Sequence, residues 1–506
     1  MPVRPLAMAD WPIGWRLAVA FLAGAAMVLA FAPFELGWLP LPLVALLLHL
    51  WAHAVRPGEA AALGYAFGLG LFGFGVFWLR NSIGQFGGIV PALALLLTLL
   101  FILAMALYFA LTGGLIHWLG QGTGLSTFML LMAPLGWTAV ELLRAYLFTG
   151  FPWLSLGYSQ LGLPLAGYAP VLGVFGVGAL VVLSAGCLHQ WRRGWPLLIL
   201  ALAWGGGMGL GRVVWTEASG ETLEVALVQG NVAQRDKWRP SRFGPSLQRY
   251  LQLSEQAPDA PLVVWPETAI AAFDDEVATS VLRPLAQRMQ EAGRDLLSGI
   301  VVRKADGRYF NAMINLGLSG RQAYFKRHLV PFGEFLPLKV ILGGLLDFLE
   351  IPMSDFSADP DISPVLHLAG QAVGVDICYE DAFGNEVADA LPEAAFLINA
   401  SNDAWFGDSL APHQHLEIAR MRALETGREL LRATNTGISA WIGADGRVKA
   451  RSAQFRPALL LARVQPRRGA TPYVRWHDWP LILMSGGGLL WIVTRRYRRG
   501  RDGMQS

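Results

Sequence analysis

The sequence predicts two folds in one chain: an α-helical membrane bundle of eight transmembrane helices and a water-facing α/β domain. Three observations carry that prediction. Charge is segregated, with 8 Lys/Arg and 4 Asp/Glu in residues 1–215 against 40 and 37 in all 506 residues. Eight apolar stretches approach the ~20 residues that a spanning helix requires. Between residues 220 and 465, short apolar runs alternate with amphipathic stretches, the pattern of strands interleaved with helices. With 54% hydrophobic and 15% charged residues, the chain fits neither a disordered segment nor an ordinary soluble protein.

The predicted spans cover residues 13–33, 38–54, 61–79, 88–116, 127–148, 165–188, 195–211 and 479–494. Pro40 and Pro42 blur the second, and the fourth is long enough to tilt. The first carries no cleavage pattern and is read as retained. The expected division is a seven-helix transmembrane domain over 1–212, an α/β domain over 213–470, and a last helix with a basic tail over 471–506. With the N-terminus inside, the inner face collects Arg4, Arg16, Arg56, Arg192 and Arg193. The tail adds Arg495, Arg496, Arg498, Arg499 and Arg501, while only Arg80, Arg144 and Arg212 fall outside. Seven crossings then carry the α/β domain outward, which in a bacterium is the periplasmic face.

Gly68-Leu-Gly70-Leu-Phe-Gly73 has dinucleotide-binding spacing, but it lies inside an apolar span with no strand before it. Close helix packing is the better reading. The same holds for Gly205–Gly207 with Gly209 and Gly211, and for Gly486–Gly488. These two runs flank the α/β domain and are expected to pack together as its anchor. Near the ends of the third and fifth spans stand Arg80-Asn81-Ser82 and Glu141 with Arg144. Ionisable residues in spans are functional candidates by default. An internal Glu141–Arg144 pair that only fixes packing is an equal alternative.

In the α/β region, strand-like runs cover 223–229, 262–265, 296–302, 312–318, 372–379, 395–400, 438–442 and 459–464, with helical patterns near 243–256, 277–292, 382–391 and 412–430. Polar clusters stand where apolar runs stop: Gln229-Gly230-Asn231, Pro266-Glu267-Thr268, Cys378-Tyr379-Glu380 and Ser401-Asn402-Asp403. Strand ends are where α/β sheets collect ligand chemistry.

The chain has two cysteines, Cys187 and Cys378, too far apart in sequence and too few for a disulfide framework or metal spacing. Strand alternation puts Asp376, Cys378 and Glu380 on one face. Two carboxylates are poor company for a buried apolar filler, and they disfavour a thiolate. A nucleophilic role for Cys378 therefore needs a cation and a base. Lys326, set among aromatic and apolar residues, is the candidate cation, and a solvated lysine is the plainer alternative. Glu267, after a strand and a proline, is the candidate general base, against a common helix-start carboxylate. His413-Gln-His415 lacks a third ligand at metal spacing apart from Glu417, so a helix-start or packing role is assigned and no metal. The net charge of +3 is too mild for a nucleic-acid partner.

The Glu267, Lys326 and Cys378 order, with Lys-x-x-Leu-Val-Pro-Phe-Gly-Glu and Cys-Tyr-Glu, resembles the nitrilase, or carbon–nitrogen hydrolase, superfamily. With the helices around it, and with Phe-Thr-Gly-Phe-Pro-Trp, Gly-Tyr-Ser-Gln, Trp-Pro-Glu-Thr and Ser-Asn-Asp-Ala-Trp-Phe-Gly, the chain resembles the bacterial apolipoprotein N-acyltransferases nearly end to end. The resemblance implies a nitrilase-like αββα sandwich, a multi-pass protein of the bacterial inner membrane, and a periplasmic catalytic domain. It implies ping-pong acyl transfer from phosphatidylethanolamine through a Cys378 thioester to the diacylglyceryl-cysteine of apolipoproteins, without a cofactor. It assigns Glu267, Lys326 and Cys378 to catalysis and Trp238, Glu334, Tyr379 and Glu380 to supporting or substrate-binding roles. The apolar segment 335–352 is expected to form a lid or, equally, a core helix. A membrane-tethered amidohydrolase using water as acceptor is the alternative, and the same triad would serve it.

Overall fold

The computed structural model describes residues 11–85, 90–331, 333–335 and 355–502. The chain divides into two compact units. One holds the chain up to Phe77, Leu95–Val213 and the chain from Trp476; the other holds Trp78–Ala94 and Val214–Arg475.

The first unit is helical. All eight predicted apolar stretches contain helix, and Ile13–Ala30, Pro91–Gly120, Leu125–Thr149 and Pro164–His189 are long and apolar enough to cross a membrane. Pro40–Ala52, Trp195–Leu210 and Trp479–Thr494 are shorter, and Pro57–Gly75 begins with Glu59 in its first turn. Length and composition therefore support four spans where eight were expected. Glycines let the backbones approach: Gly70 lies against the Phe21 carbonyl and Gly68 against Ala106, leaving no room for a Cβ. That is the helix-packing role expected of them. The two flanking glycine runs differ from expectation, because their crowded glycines meet other partners. Gly206 and Gly207 face Tyr168 and Pro164, whereas Gly488 faces Leu135.

The second unit is built on strands β1 (Glu217–Ala218), β2 (Leu223–Gln229), β3 (Leu262–Val264), β4 (Ile270–Phe273), β5 (Asp295–Arg303), β6 (Tyr309–Gly317) and β7 (Ala323–Phe325). They are followed by β8 (Val365–Leu368), β9 (Gln371–Ile377), β10 (Phe396–Ser401), β11 (Leu430–Thr434), β12 (Ala440–Ile442), β13 (Val448–Arg451), β14 (Ala458–Val464) and β15 (Arg467–Arg468). One sheet has the order β14-β2-β3-β5-β6-β7, with β4 on β5, and the other β13-β12-β11-β10-β9-β8. Strands β2, β3 and β5 run parallel, as do β9, β10 and β11. Both faces of such strands are covered, so they read as continuous apolar runs.

Alternate residues explain the layers. Val225, Leu227, Val264 and Leu297 from one sheet pack on Val375, Ile377, Ile398 and Leu431 from the other. The opposite faces carry helices: Val263, Leu296 and Ile314 pack with Tyr250 and Leu285, and Leu397 and Leu430 with Leu416 and Ala423. The result is a helix–sheet–sheet–helix sandwich. The helix expected over 412–430 stops at Thr426, because Gly427 takes a left-handed φ of 63° and caps it, and β11 follows. The segment after Phe77, expected to finish a membrane helix, belongs instead to this unit. Trp78 Nε1 donates to Gln414 (3.1 Å), Asn81 to the Phe406 carbonyl (3.0 Å) and Ser82 to the Trp405 carbonyl (3.2 Å). Of the segment 335–352, Phe335 pairs with Pro331 and Asp355, and 336–352 lies outside the described residues.

Candidate active site

Glu267 follows β3 in a loop pressed onto β5. Gly299 leaves no space for a Cβ beside the backbone of Pro266, Glu267 and Thr268. Thr268 takes a left-handed φ of 49°, and the Glu267 carbonyl accepts from the buried ammonium of Lys237 (3.1 Å). The carboxylate is therefore held from its own backbone outward. Its Oε1 accepts from Asn311 Nδ2 at 2.7 Å and lies 3.8 Å from Lys326 Nζ.

Lys326 continues from β7, with its N–H bonded to the Asn311 carbonyl (2.9 Å). Only 1% of it is exposed. Its ammonium donates to Glu334 at 2.9 Å, and Asn311 Nδ2 donates to the same carboxylate at 2.9 Å. Val330 N–H holds the other Glu334 oxygen (2.8 Å). Burial pulls the lysine down, but Glu334, Glu267 and more distant acids outweigh it and hold the ammonium above the ordinary lysine range. It stays charged.

Cys378 departs from the alternation expected of it. Strand β9 ends at Ile377, and Cys378 opens a 3₁₀ turn, Cys378–Ala382, with φ of 56°. A non-glycine residue there carries about 1–3 kcal/mol of strain, held in place by its surroundings. Glu380 thus leaves the strand face. Its carboxylate turns back to accept from Ile377 N–H (2.6 Å), Arg327 N–H (2.6 Å), His328 N–H (3.0 Å) and the Tyr324 hydroxyl (2.9 Å). It braces the elbow against the lysine segment. Burial pushes the Cys378 thiol well above its usual value, Glu267 adds to this, and Lys326 opposes it. The resting group is a thiol, and it needs a base to react.

Glu267, Lys326 and Cys378 thus converge electrostatically, with Glu334 on the lysine and Glu380 beneath the turn. Tyr379 is buried, edge-on to Phe383 (5.2 Å) and His328 (5.9 Å). Trp238 is 36% exposed, and it is its neighbour Lys237 that bonds Glu267. Asn311 escaped the sequence reading, although an Asn inside a buried apolar strand signals an internal partner. Asp381 and Arg432 escaped it too, and both lie with Asp403, which the sequence marked in a strand-end polar cluster. His415, read as packing, is buried among them. Gln229 serves structure instead, accepting from Ser439 and Ser452 hydroxyls (2.8 and 2.7 Å). Among the described residues, no cluster of His, Cys, Asp and Glu has metal-binding geometry.

Comparison with known proteins finds a separate family match in each part of the chain. The family described as apolipoprotein N-acyltransferase N-terminal domain matches residues 23–187, and carbon-nitrogen hydrolase matches 224–473. Proteins named apolipoprotein N-acyltransferase are similar along nearly the whole chain. The one from Methylococcus capsulatus is 45% identical over 97% of this chain and 98% of its own length. The one from Nitrosomonas europaea is 45% identical over 93% and 96%, and that from Azotobacter vinelandii 41% over 98% and 97%.

Proposed function

The chain belongs to the apolipoprotein N-acyltransferase family and is an enzyme of the carbon–nitrogen hydrolase superfamily; on that premise we propose a two-step acyl transfer through Cys378. The donor is a membrane phospholipid, phosphatidylethanolamine through its sn-1 ester, and the acceptor is the α-amine of a diacylglyceryl-cysteine apolipoprotein. The observation that carries this reading is a buried thiol held neutral beside a carboxylate, with a permanently charged lysine between two glutamates.

Glu267 takes the thiol proton as sulfur attacks the ester carbonyl. Lys326 and the Tyr379 backbone N–H stabilise the oxyanion, each donor contributing about 3–4 kcal/mol in comparable sites. Lys326 acts as a cation and not as the base, since its surroundings keep it protonated. The ester C–O bond breaks, Glu267 returns the proton to the leaving oxygen, and lysophospholipid departs from the thioester. The acceptor amine then attacks, Glu267 takes its proton, the C–S bond breaks, and the thiol is restored as the amide forms. Thioester to amide runs downhill, so no nucleotide is required. Glu334 orients Lys326, while Trp238, Tyr379 and Glu380 shape the surrounding shell. Eight spans with the α/β unit on the periplasmic side of the bacterial inner membrane would set this site beside its lipid.

The test is to incubate purified protein with phosphatidylethanolamine and weigh it intact. A fatty-acyl mass gain, absent in Cys378→Ala and discharged by a diacylglyceryl-cysteine peptide, is the expected result. No adduct, with ammonia released from simple amides, would replace this reading with a water-using amidohydrolase.

A further inference from the structure

Beneath Cys378 lies a closed set of charges that the acyl-transfer steps leave unused. His415, 1% exposed, projects from the helix Ala411–Thr426. Its Nδ1 faces Asp403 Oδ1 at 3.0 Å, and its Nε2 faces Asp381 Oδ1 at 3.0 Å and the Cys378 carbonyl at 3.2 Å. A carbonyl can only accept, so Nε2 carries a proton. Both oxygens of Asp403 also accept from Arg432 Nη2 (3.2 Å each), and Oδ1 accepts from the Ser401 hydroxyl (2.9 Å), so Asp403 is an ionised acceptor and Nδ1 carries a proton too. Arg432 Nη1 donates to Asp381 Oδ2 at 3.0 Å.

We propose that His415 is a positioning residue: an imidazolium at neutral pH that neutralises the carboxylate pair under the nucleophile and clamps the Cys378 carbonyl. The inference rests on the reading of Cys378 as the nucleophile. Two carboxylates, Asp381 and Asp403, balance two cations, Arg432 and His415. Asp376, on the strand β9 that leads into Cys378, has its carboxyl pushed well above the usual range by burial and by Asp381, and accepts from Asn399 Nδ2. A neutral His415 would leave one net negative charge beneath sulfur and oppose its ionisation, in addition to the effect of Glu267. The carbonyl clamp has a second purpose. With Asn399 Nδ2, which donates to the same carbonyl at 3.2 Å, His415 fixes the peptide that follows the strained Cys378. Burial and Arg432 lower the imidazolium, but Asp381 and Asp403 prevail and leave it at about 9, in keeping with that geometry.

The test measures alkylation of Cys378 by iodoacetamide against pH in the full-length protein, scored by peptide mass so that Cys187 is counted separately. His415→Gln is expected to raise the midpoint by about one pH unit or more, and to slow thioester formation by about tenfold or more without changing the KM for phosphatidylethanolamine. Adding Asp403→Asn restores neutrality and is expected to bring the midpoint back. An unchanged midpoint in a folded His415→Gln protein, or no recovery in the folded double variant, overturns the proposal. Should the variants fail to fold, nitrogen-15 histidine spectra of the unsubstituted protein decide it. A doubly protonated ring persisting at pH 8 is expected, and nine neutral rings overturn it. Acyl transfer that survives Cys378→Ala would instead overturn the nucleophile reading beneath it.

Discussion

In the helical unit Arg144 lies 3.7 Å from Glu141, and in the α/β unit Lys326 lies 3.8 Å from Glu267. All four side chains are buried. As pairs they are nearly the same, and their surroundings are opposite. Arg144 gives its remaining donors to the Phe151 and Trp153 carbonyls (2.5 and 2.7 Å) and the Ser155 hydroxyl (3.0 Å), while Glu141 accepts from Leu156 N–H (3.0 Å). These bonds hold an irregular loop in which Phe148, Thr149 and Leu154 have positive φ. Lys326 instead meets a second carboxylate, Glu334, and both acids share Asn311. One pair spends its capacity on backbone; the other keeps a carboxylate and a cation facing a thiol. The lesson is that an ion pair is assigned to packing or chemistry by what its leftover donors and acceptors touch.

Replacing the cation on each side would sharpen this contrast most. Lys326→Met leaves Glu267 and Glu334 buried without their cation, and acyl-enzyme formation is expected to fall by more than about 10³-fold. Arg144→Met is expected to cost stability, about 3–5 kcal/mol in thermal or denaturant unfolding, while the rate per folded molecule falls less than about tenfold. Equal kinetic losses in the two variants would break the comparison. Next comes Gly299→Ala, whose new Cβ displaces the Glu267 loop. A shift of an ångström at a catalytic base is worth about 10²-fold in rate, read as kcat falling with little change in KM.

The smallest effect concerns Lys237. Burial lowers its pKa to about 8 from 10.5, against the pull of Glu267. Between those values the unfolded chain holds a proton that the folded residue has lost, so its contribution to stability rises with pH. The span corresponds to about 3 kcal/mol at most. Unfolding followed from pH 7 to 11 is expected to show this slope in the native protein and lose it in Lys237→Met.

Much of the fold is legible because burial writes itself into composition. Leu223–Gln229 is the strand the apolar run announces, and the parallel strands β3 and β10 appear as Leu-Val-Val and Phe-Leu-Ile. Strand β11 hides, because Leu430–Thr434 contains Arg432 and follows a helix whose pattern runs into it. Its arginine is affordable only against Asp381 and Asp403, partners 51 and 29 residues away. The short edge strands β7 and β8 are missed for the opposite reason, having too few residues to show a period.

By itself the sequence determined the two environments, since charge cannot be left in an apolar helix bundle nor apolar runs in water without cost. It also determined which residue types met at strand ends, and so which side chains were candidates. Only the tertiary structure decided that Cys378 leaves its strand in a left-handed turn, that Glu380 braces that turn, and that Asn311, Lys237 and His415 hold the groups around it. Those relations join residues distant in the chain, and hydrogen bonds between distant residues leave no periodicity for a sequence to display.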